Sequence, residues 1–146
     1  MTTAADILKS KPNPAVYSIK PAASVYDALQ LMSDKSIGAL LVMEGEQVIG
    51  IVTERDYARK IALMSRASKE TRVREIMTSQ VMYVPPNQAS EECMALMTEN
   101  RIRHLPVMDE GKLLGLISIG DLVKDIISEQ KFIILQLEHY ITGVRG

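Results

Sequence analysis

Apolar positions along this chain switch between two spacings, and the switch happens twice. Val25, Ala28, Leu29 and Met32 fall at i, i+3, i+4 and i+7, which predicts a helix with one buried stripe. Cys93, Met94 and Met97 repeat most of that stripe further on. Each helical stretch is followed by two short apolar runs. The first set is Ala39-Leu40-Leu41-Val42-Met43 and Val48-Ile49-Gly50-Ile51-Val52; the second is Leu105-Pro106-Val107-Met108 and Leu113-Leu114-Gly115-Leu116-Ile117. Glu44-Gly45-Glu46 and Asp109-Glu110-Gly111 separate the runs as turns, so the runs read as strand hairpins. A further helix is expected to start near Asp56 and again near Asp121. Short strands around 17–19 and 82–84, closed by Pro21 and Pro86, precede the first helix of each set. The predicted unit is β-α-β-β-α, a small mixed sheet packed with helices, in an α/β (α+β) chain.

The two sets are copies. Val16 to Asp56 lies on Val81 to Asp121 with a constant shift of 65 residues and no gap. Leu40 falls on Leu105 and Val42 on Val107, as any core would permit. Pro21 also falls on Pro86, Gly50 on Gly115 and Asp56 on Asp121. A proline, a glycine and a carboxylate set backbone shape or chemistry, so the match implies two units related by an approximate two-fold axis. The division read from this is an arm (1–15), a first repeat (16–64), a polar linker (65–80), a second repeat (81–128) and a helical tail (129–146). Ala5 to Lys9 is expected to be helical until Pro12 and Pro14 stop it. Ser24 is a candidate N-cap with Asp27 three residues on. Asp121 to Tyr140 lacks Gly and Pro and reads as one long helix. Phe132, Ile133, Ile134, Leu135, Leu137, Tyr140 and Ile141 make it apolar on more than one face, which calls for a partner.

Composition narrows the function classes. A net charge of −1 supplies no basic field for nucleic acid and no polybasic segment for a membrane surface. No apolar run reaches the roughly 18 residues of a membrane span. The first residues lack a signal or transit pattern, and Cys93 is the one cysteine, so the expectation is a cytoplasmic protein without internal disulfides. With one cysteine and two histidines, a metal site is not expected. No nucleophile with a base and an orienting group is apparent, so the chain is not read as an enzyme.

The candidate chemistry lies where each hairpin meets its second helix. Thr53-Glu54-Arg55-Asp56 and Ser118-Ile119-Gly120-Asp121 put a hydroxyl and a carboxylate at a helix start. Unpaired N–H groups there suit phosphate, and a carboxylate can accept from both hydroxyls of a ribose. The same residues equally fit plain helix caps, which duplication would also copy.

These residues resemble a tandem pair of cystathionine beta-synthase (CBS) domains, a Bateman module. The resemblance rests on Gly50-Ile51-Val52-Thr53-Glu54-Arg55-Asp56, on Gly115-Leu116-Ile117-Ser118-Ile119-Gly120-Asp121 and on Arg103-His104-Leu105-Pro106-Val107. Ile76-Met77-Thr78 looks like the lead-in found before such a repeat. With no catalytic domain attached, the chain is similar to stand-alone CBS-pair proteins. The resemblance implies two nucleotide clefts, each built from both repeats. Cleft one would combine Thr53, Arg55 and Asp56 with Met82, Arg103 and His104. Cleft two would combine Ser118, Gly120 and Asp121 with Tyr17, Gly38 and Ala39. Arg55, Arg103 and His104 suit two or three phosphates, whereas cleft two has Gly120, Gly38 and Ala39 in their places and should take fewer or stay empty. Each cation also fits a plainer role: Arg55, Arg74 and Arg101 as solvated surface charges, His104 as a structural residue at a strand start. The implied function is a regulatory sensor of adenine nucleotides (AMP, ADP, ATP or NAD(H)) that signals occupancy to an effector protein and pairs as a homodimer. The alternative is an assembly module that binds no nucleotide and uses its apolar C-terminal helix.

Overall fold

A computed structural model describes residues 2–142 of the chain, with side chains from 2 to 139. Tyr140 and Ile141, counted above in the apolar tail, therefore have side chains outside the described residues. Packing divides the chain into two compact units. One comprises Ala15–Tyr83 and Met108–Gly115; the other comprises Met1–Pro14, Val84–Val107 and Leu116–Gly146.

The Ala15–Tyr83 unit has the predicted order. Strand β1 (Ser18–Ile19) runs parallel to β2 (Ala39–Glu44), which pairs antiparallel with β3 (Gln47–Thr53). Leu41 faces Ile51 and Val42 faces Gly50 across the hairpin, and the register shifts between Val42 and Met43. Gly45 closes the turn with a φ of 62°, a left-handed conformation that glycine adopts without strain. Helix α2 (Val25–Lys35) begins where Ser24 Oγ accepts from the Asp27 N–H at 3.1 Å. Its buried Val25, Ala28 and Met32 pack with Leu40, Val42 and Val52 of the sheet. Helix α3 (Glu54–Tyr57) widens into a π turn over Ala58–Ala62, which turns Ile61 into the same core.

The polar linker is only partly a linker. Arg66, Lys69, Glu70 and Arg72 are exposed, but Thr71, Val73 and Ile76 are buried. Ser24 bridges Arg72 and Ile51 bridges Thr78, so this stretch is stitched to the first repeat. Gly50 shows why β3 carries a glycine: a Cβ there would stand 2.5 Å from Met77 Sδ and 3.1 Å from the Thr78 carbonyl oxygen.

The other unit repeats the plan, with the N-terminal arm in the place of that stretch. Helix α1 (Ala4–Ser10) is capped by Thr3 and Asp6 and buries Ala4 and Ile7. Val84 bridges Val107 in parallel, helix α4 (Ser90–Asn100) follows, and β4 (His104–Asp109) pairs with β5 (Lys112–Ser118). Ala4, Ile7, Cys93, Met97, Leu105, Val107, Ile117 and Leu122 form its core. The Ser90 N–H donates to the Thr2 carbonyl at 2.9 Å, as the equivalent Val25 N–H donates to Thr71 at 2.8 Å. Each repeat is thus completed by the segment that precedes the other repeat. Helix α5 (Ile119–Thr142) is unbroken, and Phe132, Ile133, Ile134, Leu135 and Leu137 are each more than half exposed, from 53% to 63%.

Candidate functional site

Both helix starts are capping boxes. The Thr53 N–H and hydroxyl donate to Asp56 Oδ2 at 3.0 and 3.2 Å, and the Asp56 N–H donates back to Thr53 Oγ1 at 3.2 Å. In the second copy the Ser118 N–H donates to Asp121 Oδ2 at 2.8 Å, and the Asp121 N–H donates to Ser118 Oγ at 3.2 Å. The cap reading is therefore correct in both places. It leaves one oxygen of each carboxylate outside the cap, held in a fixed direction.

Lysines answer the two carboxylates in different ways. Lys60, one turn along from Asp56, lies 3.4 Å from its Oδ1 and donates to the Ile76 carbonyl at 2.7 Å. Asp121 is met instead by Lys11 of the arm, 3.0 Å from Oδ2, which also donates to the Leu116 carbonyl at 2.7 Å. The second pair is the drier one, with side chains 20% and 17% exposed against 44% and 14% for the first. Burial opposes ionisation of Asp121, but the Ser118 N–H and the Lys11 ammonium outweigh it and hold the carboxyl below its usual range. Lys11 was not visible as a site residue in the sequence, because α1 packs on a repeat some hundred residues away.

The start of the second strand lies against the same helix end in each unit. The Glu54 N–H donates to the Gly38 carbonyl at 3.1 Å, and the Ile119 N–H donates to the Arg103 carbonyl at 2.8 Å. Gly38 and buried Ala39 therefore lie beside Thr53 to Asp56, as Arg103 and His104 lie beside Ser118 to Asp121. Tyr17 stands under β2, its carbonyl accepting from the Leu41 N–H at 3.4 Å, with Lys35 Nζ over its ring at 5.3 Å. Met82 and Arg103 are exposed, as are Arg55 and Gly120. Tyr17, Gly38, Ala39, Thr53, Arg55, Asp56 and Met82 belong to the Ala15–Tyr83 unit, and Arg103, His104, Ser118, Gly120 and Asp121 to the other.

Burial, then the neighbouring Lys11 and Arg103 charges, lower the His104 pKa, although Asp121 opposes the shift. His104 therefore holds a proton less readily than a free imidazole does. Among the described residues no three His, Cys, Asp or Glu side chains gather as a metal site, and no helix is long and apolar enough to cross a membrane.

Comparison with known proteins matches this architecture. The CBS domain family pattern fits residues 4–63 and 73–128. The chain is 41% identical over 150 residues to the mitochondrial CBS domain-containing protein CBSX3 of Arabidopsis thaliana, covering 97% of this chain and 73% of that protein. A solved CBS-domain protein of Burkholderia ambifaria, described with signal transduction, superposes with a TM-score of 0.85 at 61% identity, over 88% of this chain and 96% of that one. A CBS-domain-containing protein of Agrobacterium tumefaciens gives 0.80 at 36% identity, over 85% and 98%.

Proposed function

Because the chain belongs to the CBS domain family, as a tandem pair of the kind found in regulatory modules, we propose that it binds an adenine nucleotide (AMP, ADP, ATP or NAD(H)) and passes its occupancy to an effector protein. The observation that carries this reading is the duplicated helix start. At each one a carboxylate is fixed by its cap with one oxygen outside the cap, at the start of a helix and beside a lysine ammonium. That combination suits a ribose hydroxyl and a phosphate together. In this reading Thr53, Arg55 and Asp56 act with Met82, Arg103 and His104 on the more phosphorylated ligand. Ser118, Gly120 and Asp121 act with Tyr17, Gly38 and Ala39 on the less phosphorylated one.

Signalling would follow from population shift. A ligand biases two arrangements of the protein only by its difference in affinity for them. At about 100 times its dissociation constant, a ligand adds about 2.7 kcal/mol to stability. A thermal-shift panel of AMP, ADP, ATP and NADH on wild type, Asp56→Ala and Asp121→Ala tests the reading. Asp56→Ala should erase the ATP or NADH shift and Asp121→Ala should keep most of it. Flat melting curves for every nucleotide would reject the reading in favour of the assembly alternative.

The exposed apolar face of α5 favours association as part of the same function. Val123, Ile126, Ile127, Ile133, Ile134 and Leu137 stand three, four and seven residues before and after Gln130. A second copy of the helix laid antiparallel about Gln130 would meet a matching row, so a homodimer is the proposed assembly.

A further inference from the structure

We propose that Lys11 is a phosphate-binding residue of the Asp121 site, so that the N-terminal arm that carries it sets how strongly that site holds a phosphorylated ligand. The inference rests on the nucleotide reading and adds to it a charge that residues 16–121 alone do not supply.

The two repeats reach the same end by different routes. In the first, the carboxylate oxygen Oδ2 of Asp56 is filled by the N–H and the hydroxyl of Thr53. In the second, the Ser118 N–H and the Lys11 ammonium fill Oδ2 of Asp121. Lys11 therefore adds an ammonium on the oxygen that Thr53 alone fills in the first repeat. The Ser118 hydroxyl accepts from the Asp121 N–H and also acts on the carboxylate. With the Ser118 N–H and the Lys11 ammonium both on Oδ2, Asp121 Oδ1 remains an acceptor for a ligand hydroxyl. Lys11 has three N–H donors; one goes to the Leu116 carbonyl and one to Asp121, which leaves a third. Its charge also offsets the carboxylate that would otherwise repel a phosphate.

The arm is built to deliver this residue. Ala4 and Ile7 occupy the core position that Val73 and Ile76 occupy in the other unit. Helix α1 has seven residues where its counterpart, the 3-10 turn Val73–Glu75, has three. The additional turn ends at Lys11. Docking of α1 and the readiness of Asp121 are then one event, and a ligand that uses Lys11 must also hold the arm down.

Calorimetric titration of AMP and of adenosine tests this, with Asp56→Ala as the background so that the Asp121 site alone is read. Lys11→Met should weaken AMP about ten-fold while adenosine changes about two-fold or less, because the lost partner is the phosphate. Lys11→Arg should restore most of the AMP affinity. AMP should also slow hydrogen exchange of the α1 amides. Equal losses for AMP and adenosine would reduce Lys11 to a structural role and overturn the inference, as would no loss or a gain. Binding of AMP by wild type but not by Asp56→Ala would also overturn it while leaving the nucleotide reading intact. A wild-type protein that binds neither ligand would end both.

Discussion

Lys60 and Asp125 hold the same place in the two repeats, 65 residues apart, with opposite charge. Lys60 spans from Asp56 to the Ile76 carbonyl. Asp125 has no such partner: its Oδ2 is buried without a hydrogen bond, and burial, Glu129 and Asp6 raise its pKa. The ammonium that the first repeat carries on its own helix is supplied to the second by Lys11 of the arm. Asp125→Asn should therefore stabilise the protein at neutral pH, because it removes the charge that burial, Glu129 and Asp6 disfavour. A raised folded pKa means that wild-type stability is lost as pH climbs through that value. The advantage of Asn should accordingly vanish below pH 3.8. Urea denaturation at pH 7 and at acid pH reads both.

Gly50→Ala should cost about 1–3 kcal/mol, because its new methyl meets the Met77 side chain and the Thr78 carbonyl. The flexible thioether can move, but the backbone oxygen at 3.1 Å is held by the bridge between Ile51 and Thr78. A melting temperature equal to wild type would contradict this packing.

His104 gives stability a slope with pH. Its folded pKa lies below the ordinary 6.5, so the unfolded chain binds its proton more readily. Stability should be full above 6.5 and fall as pH drops below it towards the folded value. His104→Gln should flatten that part of the profile, measured as melting temperature against pH in steps from neutrality downward.

Ile7→Ala should cost about 2–5 kcal/mol, as expected for emptying a fully buried site. A loss that large would establish the arm as part of a core rather than an appendage. Chemical denaturation of the full chain measures it.

On the proposed homodimer, Ile134→Lys should lower the mass read in sedimentation experiments without reducing helix content by circular dichroism. Its side chain is 53% exposed in the single chain, so a charge there disturbs only what covers the helix. Unchanged mass would remove α5 from the assembly.

Local pattern revealed most of the fold. The i, i+3, i+4 stripe of Val25 to Met32 became α2, and the runs on either side of Gly45 and Gly111 became hairpins. Ser24 and the two Asp-containing caps were readable because a capping box is a short-range object. Lys11 was not readable, since its partners Leu116 and Asp121 are over a hundred residues away. The lowered pKa of His104 was hidden for the same reason: it depends on burial and on Lys11. The stretch 65–80 looked like a spacer because its first residues are polar. Val73 and Ile76 show that its second half is core.

Exchange of the lead-in segments has a consequence for synthesis. The apolar residues Ala4 and Ile7 leave the ribosome roughly a hundred residues before many of the partners that cover them, which run from Val84 to Leu122. Helix α1 must stay uncommitted through most of translation, whereas the core from Val25 to Ile76 is contiguous in sequence and can close earlier. Folding of the core around α1 is therefore the late step, and a ribosome stalled before Leu122 would carry a nascent chain in which α1 lacks part of the surface it rests on.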